Sequence, residues 1–352
     1  MRTLSSFASA VLVLHPIVTH PLRIDMKGIT RRNFLNTVAA VSATGTSYSA
    51  IIAGREPIIL ATDIGDDIDD TWALMMLLRM PELDVKLVVS DYGNAIYRCR
   101  LLGKLLQLTG RTDIPIGLGL DKKDKIGQQS NWISDYQITD YPGIIHANGV
   151  SAIIETIMRS PKPVTLLSIG PAPTIARAIE LEPAITENAR FVGMHGSVYK
   201  GYNGEDKPVA EWNVRAAPKA LQTVFAAPWD ITLTPLDTCG IIKLDGERYQ
   251  HIYKSQDPWL KALIENYIVW LPGAPYIDPA TDTASYSTTL FDTVAVYLAA
   301  EEDLCHMQKL PLRVTDNGYT VIDKENGRPV NCAIAWRNLE AFKSRLVEIL
   351  LS

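Results

Sequence analysis

The chain has 352 residues and a formal net charge of −5 at pH 7. Its four cysteines are widely spaced and form no Cys-x-x-Cys pair, which excludes a zinc ribbon or a small disulfide-dense domain. Buried free thiols are favoured, and one or two disulfides in an exported protein are the alternative. The first 50 residues contain five basic side chains and one acidic side chain, so the rest has a net charge of −9, which argues against nucleic acid and anionic membranes as partners.

The first 50 residues have the pattern of a twin-arginine export signal. Arg31 and Arg32 precede a mild apolar run, and small residues follow it as far as Ala50. Met26 lies at the usual distance upstream of such a signal, so residues 1–25 fit an over-extended start. No later stretch reaches about 18 uninterrupted apolar residues, so nothing should span a membrane after cleavage. We therefore expect a periplasmic or secreted protein.

A cluster of aspartates follows the first strand-like segment, Ile58–Ala61. The aspartates are Asp63, Asp66, Asp67, Asp69 and Asp70. An apolar, helix-length segment comes next, so the pattern predicts a buried parallel strand, a tight turn at Gly65 and a helix beginning near Asp69. Like charges this close require a cation, and hard oxygen ligands select calcium or magnesium rather than zinc. A simple Asx turn or helix N-cap would need only one or two of these carboxylates, and an EF-hand loop would follow a helix.

Strand-like runs alternate with helical patterns along the rest of the chain. The runs are Val85–Ser90, Pro115–Leu118, Val164–Ser168, Arg190–Met194 and Ile231–Pro235, and helical patterns lie at Tyr97–Leu108, Ser151–Arg159 and Thr174–Glu180. This alternation predicts parallel strands joined by right-handed crossovers. We expect one α/β domain over residues 51–352, with a Rossmann-like, open, mostly parallel sheet flanked by helices. Ligands of such sheets bind beyond the carboxyl ends of the strands, where the Asp-rich turn would lie.

Seven short motifs, in order, resemble the inosine–uridine-preferring nucleoside hydrolase family along nearly all of the chain after the signal. They are the Asp-rich turn, Ser90–Asn94, Arg111–Ile116, Ser168–Ala176, Phe191–Gly196, Ala210–Asn213 and Leu290–Ala295. The resemblance implies that family's α/β fold and metal-dependent hydrolysis of the N-glycosidic bond of ribonucleosides, giving ribose and free base. It also implies a role in purine or pyrimidine nucleoside catabolism. The Asp-rich turn is longer than the family's before its paired aspartates.

The resemblance implies one calcium ion at this turn. The ligands it implies are Asp63, Asp70, Asp292 and the backbone carbonyl of Pro173, which a proline retains. It assigns Asp69 as the general base that activates the attacking water. The extra length of the turn leaves Asp67 as an alternative, either as ligand or as base.

The resemblance also places several residues against the substrate. They are Asn94, Met194, Glu211 and Asn213. Glu211 and Asn213 would alternate on one face of an extended segment, which suits contacts with sugar hydroxyls. The alternatives are an exposed edge strand with Trp212 buried, a plain Gly-Asn turn at Asn94, and a core position for Met194.

The chain differs most from the family pattern at the position that would help the nucleobase to leave. Many relatives that accept pyrimidines have a histidine just before the last metal aspartate, and here that position is Phe291. His195 is one substitute acid against the substrate, although a lone histidine is more often structural. Trp270, Tyr276 and Tyr286 lie in or near the loop before Asp292 and could stack on a base, or could be ordinary packing.

Two other classes of function remain open at this point. An exported, non-catalytic nucleoside- or sugar-binding protein of the same fold is one, because Phe291 removes a functional group. A haloacid-dehalogenase-like phosphatase also places Asp-x-Asp after its first strand, but the Asp-rich turn and the Glu-Trp-Asn motif do not fit it. The expected partner is a small-molecule nucleoside, and the sequence leaves open whether the chain forms a homo-oligomer.

Overall fold

The structure of the protein is a computed structural model that describes residues 54–120, 126–274, 277 and 281–352. The predicted export signal and Tyr276 lie outside the described residues. From Gly54 to Ser352 the chain forms one compact unit around a central sheet. No helix of the described part is long and apolar enough to cross a membrane.

The sheet is mostly parallel. Its strands are β1 (Glu56–Thr62), β2 (Leu83–Ser90), β3 (Ile116–Gly117), β4 (Ile145–His146), β5 (Val164–Ser168), β6 (Ala189–Met194), β7 (Ile231–Thr234), β8 (Cys305–Val314), β9 (Thr320–Ile322) and β10 (Arg328–Trp336). Their order in the described chain is β4-β3-β2-β1-β5-β6-β7-β10-β8-β9. All pairs from β4 across to β10 are parallel, whereas β8 pairs antiparallel with β10 and with β9. The predicted open, mostly parallel sheet is therefore confirmed.

Helices flank the sheet. They are α1 (Asp69–Leu78), α2 (Ala95–Leu108), α3 (Gly149–Arg159), α4 (Pro173–Leu181), α5 (Trp212–Ala216), α6 (Pro218–Ala226), α7 (Leu236–Cys239), α8 (Gly246–Tyr253), α9 (Pro258–Trp270), α10 (Phe291–Ala300) and α11 (Leu339–Leu351). Successive residues of β1 point to opposite faces. Ile58 and Leu60 accordingly pack in one buried cluster with α1, α2 and α9, while Ile59 and Ala61 pack in another with α3, α4 and α6.

The central strand β1 lies where the topology reverses. It pairs with β2 on one side and with β5 on the other, so the loops after β1 and β5 diverge and leave a crevice at the carboxyl ends of the strands. Asp63 follows β1 directly, and α1 begins at Asp69 as predicted. Every residue of α1 is buried, which explains why this helix is apolar beyond its first turn.

The cysteines agree with the expectation from the sequence, whereas the strands near the C-terminus do not. The four cysteines are buried and free, as expected from their spacing. The sequence patterns predicted no strand after residue 235, and the antiparallel strands β8, β9 and β10 were therefore missed.

Candidate active site

A cavity of about 990 Å³ lies at the carboxyl ends of the strands. Seven acidic side chains line it: Asp63, Asp66, Asp67, Asp69, Asp70, Glu211 and Asp292. Its volume is within the range of small-molecule sites. The cavity therefore combines room for a ligand with an unusual density of negative charge.

Three of these carboxylates converge. One oxygen each of Asp69, Asp70 and Asp292 lies within 4.8 Å of the others, and we call these three residues the acidic group. All are buried, at 3–4% exposure. Asp69 and Asp70 open α1 and Asp292 lies in the first turn of α10, so two positive helix N-termini face the group. The chain thus brings together residues that are more than 200 positions apart in sequence.

The electrostatics of the acidic group favour a bound cation. Burial raises the pKa of all three carboxyls well above the ordinary value, and repulsion from neighbouring carboxylates raises it further. A hard divalent cation removes that repulsion and prefers oxygen ligands of this kind. The hydroxyl of Thr62 donates a hydrogen bond to Asp70 and orients it. The residues present therefore fit a calcium- or magnesium-type ion.

Asp63 and Asp67 line the same cavity but do not belong to the acidic group. Burial raises the pKa of Asp63 to about 8, and the nearby Arg98 guanidinium opposes that rise. Asp67 is partly exposed, and its Oδ1 accepts the N–H of Ile68 at 2.6 Å. The structure thus groups Asp69, the predicted base, with two predicted ligands, and leaves Asp63, a predicted ligand, beside them.

The predicted carbonyl ligand, Pro173, is the first residue of α4 and does not line the cavity formed by the described residues. A carbonyl at that position points along the helix towards its C-terminus. Its role as a ligand stays a prediction.

Glu211 is buried and caps the short helix α5. Its carboxylate accepts the N–H groups of Asn213 at 2.7 Å, of Val214 at 3.3 Å and of Gly196 at 2.9 Å. Burial raises the pKa of Glu211 to about 7. The predicted extended segment is wrong, because the Glu211 side chain satisfies amides at a helix start instead of alternating with Asn213 along a strand.

Asn213 and Met194 meet at the cavity wall. The Nδ2 of Asn213 donates to the carbonyl of Met194 at 3.0 Å, and both residues line the cavity, while their contact with the substrate stays a prediction. Trp212 between Glu211 and Asn213 is 45% exposed, so the alternative of an edge strand with this tryptophan buried is also wrong.

Two residues predicted to contact the substrate do not line the cavity of the described chain. The Oδ1 of Asn94 accepts the N–H of Tyr97 at 2.9 Å and caps α2. His195 is fully buried, with its Nε2 2.9 Å from the carbonyl of Gly170. Burial lowers the pKa of His195 to about 4. A histidine that is neutral and enclosed at pH 7 cannot protonate a departing base, so this prediction is wrong for a physical reason.

Comparison with known proteins places the chain in a family. Residues 58–344 match the family described as Inosine-uridine preferring nucleoside hydrolase. The chain belongs to this family. The pyrimidine-specific ribonucleoside hydrolase RihA of Escherichia coli O127:H6 is 28% identical over 293 residues, which cover 77% of this chain and 91% of RihA. Family membership makes this chain a hydrolase that acts on N-glycosyl compounds.

Solved structures show the same fold. The purine-preferring ribonucleoside hydrolase of Gardnerella vaginalis has a TM-score of 0.66 at 21% identity, with 84% of this chain and 99% of that one covered. The inosine-uridine preferring nucleoside hydrolase of Bacillus anthracis has a TM-score of 0.65 at 19% identity, with 83% and 99% covered.

The aromatic residues of this nucleoside hydrolase divide into buried and cavity-facing ones. Trp270 is fully buried, and its Nε1–H donates to the carbonyl of Asp66 at 2.8 Å, so of the two alternatives for this residue the structure supports ordinary packing and not stacking on a base. Tyr286, which is 39% exposed, and Trp212 both line the cavity. Tyr202 also lines it and packs edge-on against Phe291, with ring centroids 5.9 Å apart.

Two residues beside the site were missed from sequence. Tyr202 lies in a short 3₁₀ turn, Tyr202–Gly204, within a Gly- and charge-rich loop where no periodic pattern marks it. Arg98 is only 2% exposed. It could have been noticed as a charged residue on the apolar face of a helical pattern, because a buried guanidinium needs partners.

Proposed function

We propose that this protein hydrolyses the N-glycosidic bond of ribonucleosides to ribose and free base, with one calcium ion at the acidic group. The observation that carries the proposal is the convergence of three buried carboxylates from α1 and α10 inside a cavity large enough for a nucleoside. When bound, the ion offsets their charge and orients a water molecule and the ribose hydroxyls.

Asp63 is the general base in this proposal, and Asp69 is a ligand. Asp63 lies in the cavity next to the acidic group without belonging to it. Burial raises the pKa of Asp63 to about 8, and the charge of an ion at the acidic group would lower that pKa again, so the carboxylate could then accept a proton from water. The remaining hydroxide forms a bond to C1′ as the bond from C1′ to the base nitrogen breaks, through an oxocarbenium-like state. The roles of Asp63 and Asp69 are thus the reverse of those that the family resemblance implies, and Asp67 is the second candidate base.

Tyr202 is the side chain best placed to assist the departing base. Its hydroxyl oxygen accepts the N–H of Trp212 at 3.0 Å, and no acceptor for its proton lies among the described residues. Burial raises the pKa of Tyr202, so the phenol keeps that proton. Phe291 beside it has no proton to donate.

Purine nucleosides should be preferred over pyrimidine nucleosides. The exposed rings of Trp212 and Tyr286 line the cavity and can stack on a base, and a purine offers the larger face and a ring nitrogen that can be protonated. The test compares kcat/KM for inosine and uridine in the wild type and in Phe291→His. We expect inosine to be favoured, and the variant to gain activity on uridine. Equal, efficient hydrolysis of both by the wild type would contradict the proposal.

A nucleoside panel with and without chelator tests the activity itself. Purified protein is mixed with inosine, adenosine, uridine and cytidine, and free ribose is measured in calcium and in EDTA. Ribose released only with divalent metal supports the proposal. Nucleoside binding without turnover would instead indicate a binding protein, and phosphate release from phosphomonoesters would indicate a phosphatase.

Five aspartate-to-asparagine variants separate the metal ligands from the general base. Asp69→Asn, Asp70→Asn and Asp292→Asn each remove a negative oxygen from the acidic group, so calcium affinity should fall by orders of magnitude. Asp63→Asn should keep calcium affinity within a few-fold while turnover falls by about 10² to 10⁴. If Asp67→Asn is the only variant that keeps its calcium affinity but loses turnover, Asp67 is the base. If Asp63→Asn loses calcium, the exchange of roles is wrong.

We also propose export by the twin-arginine route, on the basis of Arg31, Arg32 and the segment that follows them. The test is fractionation of cells that express the wild type or an Arg31→Lys/Arg32→Lys variant. The wild type should appear outside the cytoplasm and the variant inside it. Equal distribution of the two proteins would overturn this part of the proposal.

A further inference from the structure

Side chains from three remote segments hold the backbone of the Asp-rich turn. Five consecutive carbonyls, those of residues 63–67, each accept a hydrogen bond from one of them. The donors are Arg98 to Asp63 and, at 2.8 Å, to Ile64; Tyr97 Oη to Gly65 at 3.0 Å; Trp270 Nε1 to Asp66 at 2.8 Å; and Gln129 Nε2 to Asp67 at 2.9 Å. We call Tyr97, Arg98, Gln129 and Trp270 the carbonyl clasp.

The clasp is itself buried and internally linked. Gln129 and Trp270 have no exposed surface, and Arg98 and Tyr97 are 2% and 3% exposed. The hydroxyl of Tyr97 accepts the N–H of Gln129 at 3.1 Å, and the Nδ2 of Asn266 donates to the Oε1 of Gln129 at 2.9 Å. Because these contacts are made by α2, α9 and the segment before residue 130, the wider fold determines the path of the turn without using its carboxylates.

The glycines of the turn and of the adjoining segment allow this close packing. Gly65 has φ +114°, and a Cβ there would lie 2.5 Å from the ring of Tyr97. A Cβ on Gly127 would lie 2.3 Å from the carbonyl oxygen of Gly65. Both positions need glycine because backbone and clasp approach each other directly.

Arg98 adds charge compensation to the clasp. Its Nη2 pairs with Asp66 at 2.8 Å, and its Nε donates to the carbonyl of Tyr92 at 2.7 Å. This buried cation faces a turn with five carboxylates and pairs with Asp66, which does not belong to the acidic group. Repulsion among the carboxylates is therefore partly offset even before a metal ion binds.

We propose that the carbonyl clasp is a positioning device that keeps the Asp-rich turn in the metal-binding conformation before the ion arrives. The inference rests on the proposed metal-dependent function. Without the clasp, repulsion between the like charges would favour an open, less ordered turn. Ordering that turn when the ion binds would then cost free energy and weaken the binding of calcium. With all five carbonyls already hydrogen-bonded to the clasp, the carboxylates of Asp69 and Asp70 converge towards Asp292 without that cost.

The first test removes one clasp hydrogen bond and compares it with a matched control. Trp270→Phe keeps most of the ring but loses the donor to Asp66. Trp229→Phe loses the same type of bond, from Nε1 to the carbonyl of Val224 at 3.0 Å, in the hydrophobic cluster on the other face of the sheet. Calcium affinity is measured by titration calorimetry, and Tm is measured in EDTA. Trp270→Phe should bind calcium about 2- to 12-fold more weakly, and Trp229→Phe within 2-fold of wild type, although both lose a similar amount of Tm.

A second pair covers the case in which Trp270→Phe does not fold. Tyr97→Phe removes the hydroxyl that binds Gly65 and Gln129, and Tyr141→Phe removes a buried hydroxyl that donates to Ile114 at 2.6 Å. Only Tyr97→Phe should weaken calcium binding. Wild-type protein that binds no divalent cation would overturn the proposed function and the clasp together. Calcium binding by the wild type, with unchanged affinity in the clasp variants, would overturn the clasp alone.

Discussion

At residue 291 the cavity presents a phenyl ring, and the phenol of Tyr202 meets that ring edge-on. A phenyl group cannot donate a proton, so the departing base depends on its own basicity and on the Tyr202 hydroxyl. Tyr202→Phe should therefore slow the hydrolysis of inosine by about 10². The same variant should cleave p-nitrophenyl riboside at nearly the wild-type rate, because that leaving group needs no proton.

Tyr286→Phe provides the control for this prediction, since Tyr286 also lines the cavity. Its effect on the two substrates should be similar, because stacking does not depend on the hydroxyl. Steady-state kcat/KM for both substrates in both variants gives the answer. If Tyr202→Phe slows the activated riboside as much as inosine, Tyr202 positions the substrate and does not assist the leaving group.

His195 should make stability depend on pH. Its pKa is about 4 in the folded protein and near 6.5 when exposed, because burial disfavours the charged ring. Between these values the unfolded chain binds more protons, so His195 stabilises the fold fully above pH 6.5, and that contribution is lost as pH falls towards 4. The difference amounts to about 3 kcal/mol. Urea denaturation of the wild type and His195→Gln across this range should show a steeper pH slope for the wild type. Parallel slopes would contradict the buried, neutral state of His195.

At the scale of elements, the parallel part of the fold could be predicted because buried parallel strands are apolar on both faces. Ile58–Ala61 and Val164–Ser168 are runs of this kind. Strand β8 was missed because it is exposed on one face and contains Pro311, and both features obscure the alternation of apolar and polar residues that marks a strand.

The acidic group could be predicted in part, since Asp70 and Asp292 were identified from motifs. The place of Asp69 in that group depends on how α1 and α10 pack, which no local pattern records.

Helix α5 should depend on a single side chain. Glu211 caps the helix with two hydrogen bonds and also accepts the N–H of Gly196. Glu211→Ala removes the cap and leaves a buried N–H without its acceptor, so the free energy of unfolding should fall by about 2 to 4 kcal/mol. Asn338→Ala, which removes the cap of α11 in a more exposed setting, should cost about 1 kcal/mol. Equal losses in urea denaturation would show that the Gly196 contact contributes little.

At the scale of the whole molecule, the acidic group joins the first helix after β1 to a helix more than 200 residues later. The clasp adds α2 and α9 to the same turn. The central crevice is thus a point where early and late parts of the chain meet, and the free energy of ion binding is available to the entire fold.

Calcium should therefore stabilise the whole protein. The difference in Tm between Asp292→Asn and the wild type should change sign between EDTA and calcium. At free calcium of about 100 times Kd, binding adds about 2.7 kcal/mol to the wild type, which raises Tm by about 5 °C or more. In EDTA the wild type retains three buried carboxylates that repel one another, so Asp292→Asn should melt at the same temperature or higher. In calcium the variant should melt lower, because its ion affinity is lost. Melting curves of both proteins in EDTA and in calcium measure this crossing. An equal calcium-dependent rise in Tm for the two proteins would show that Asp292 is not a ligand.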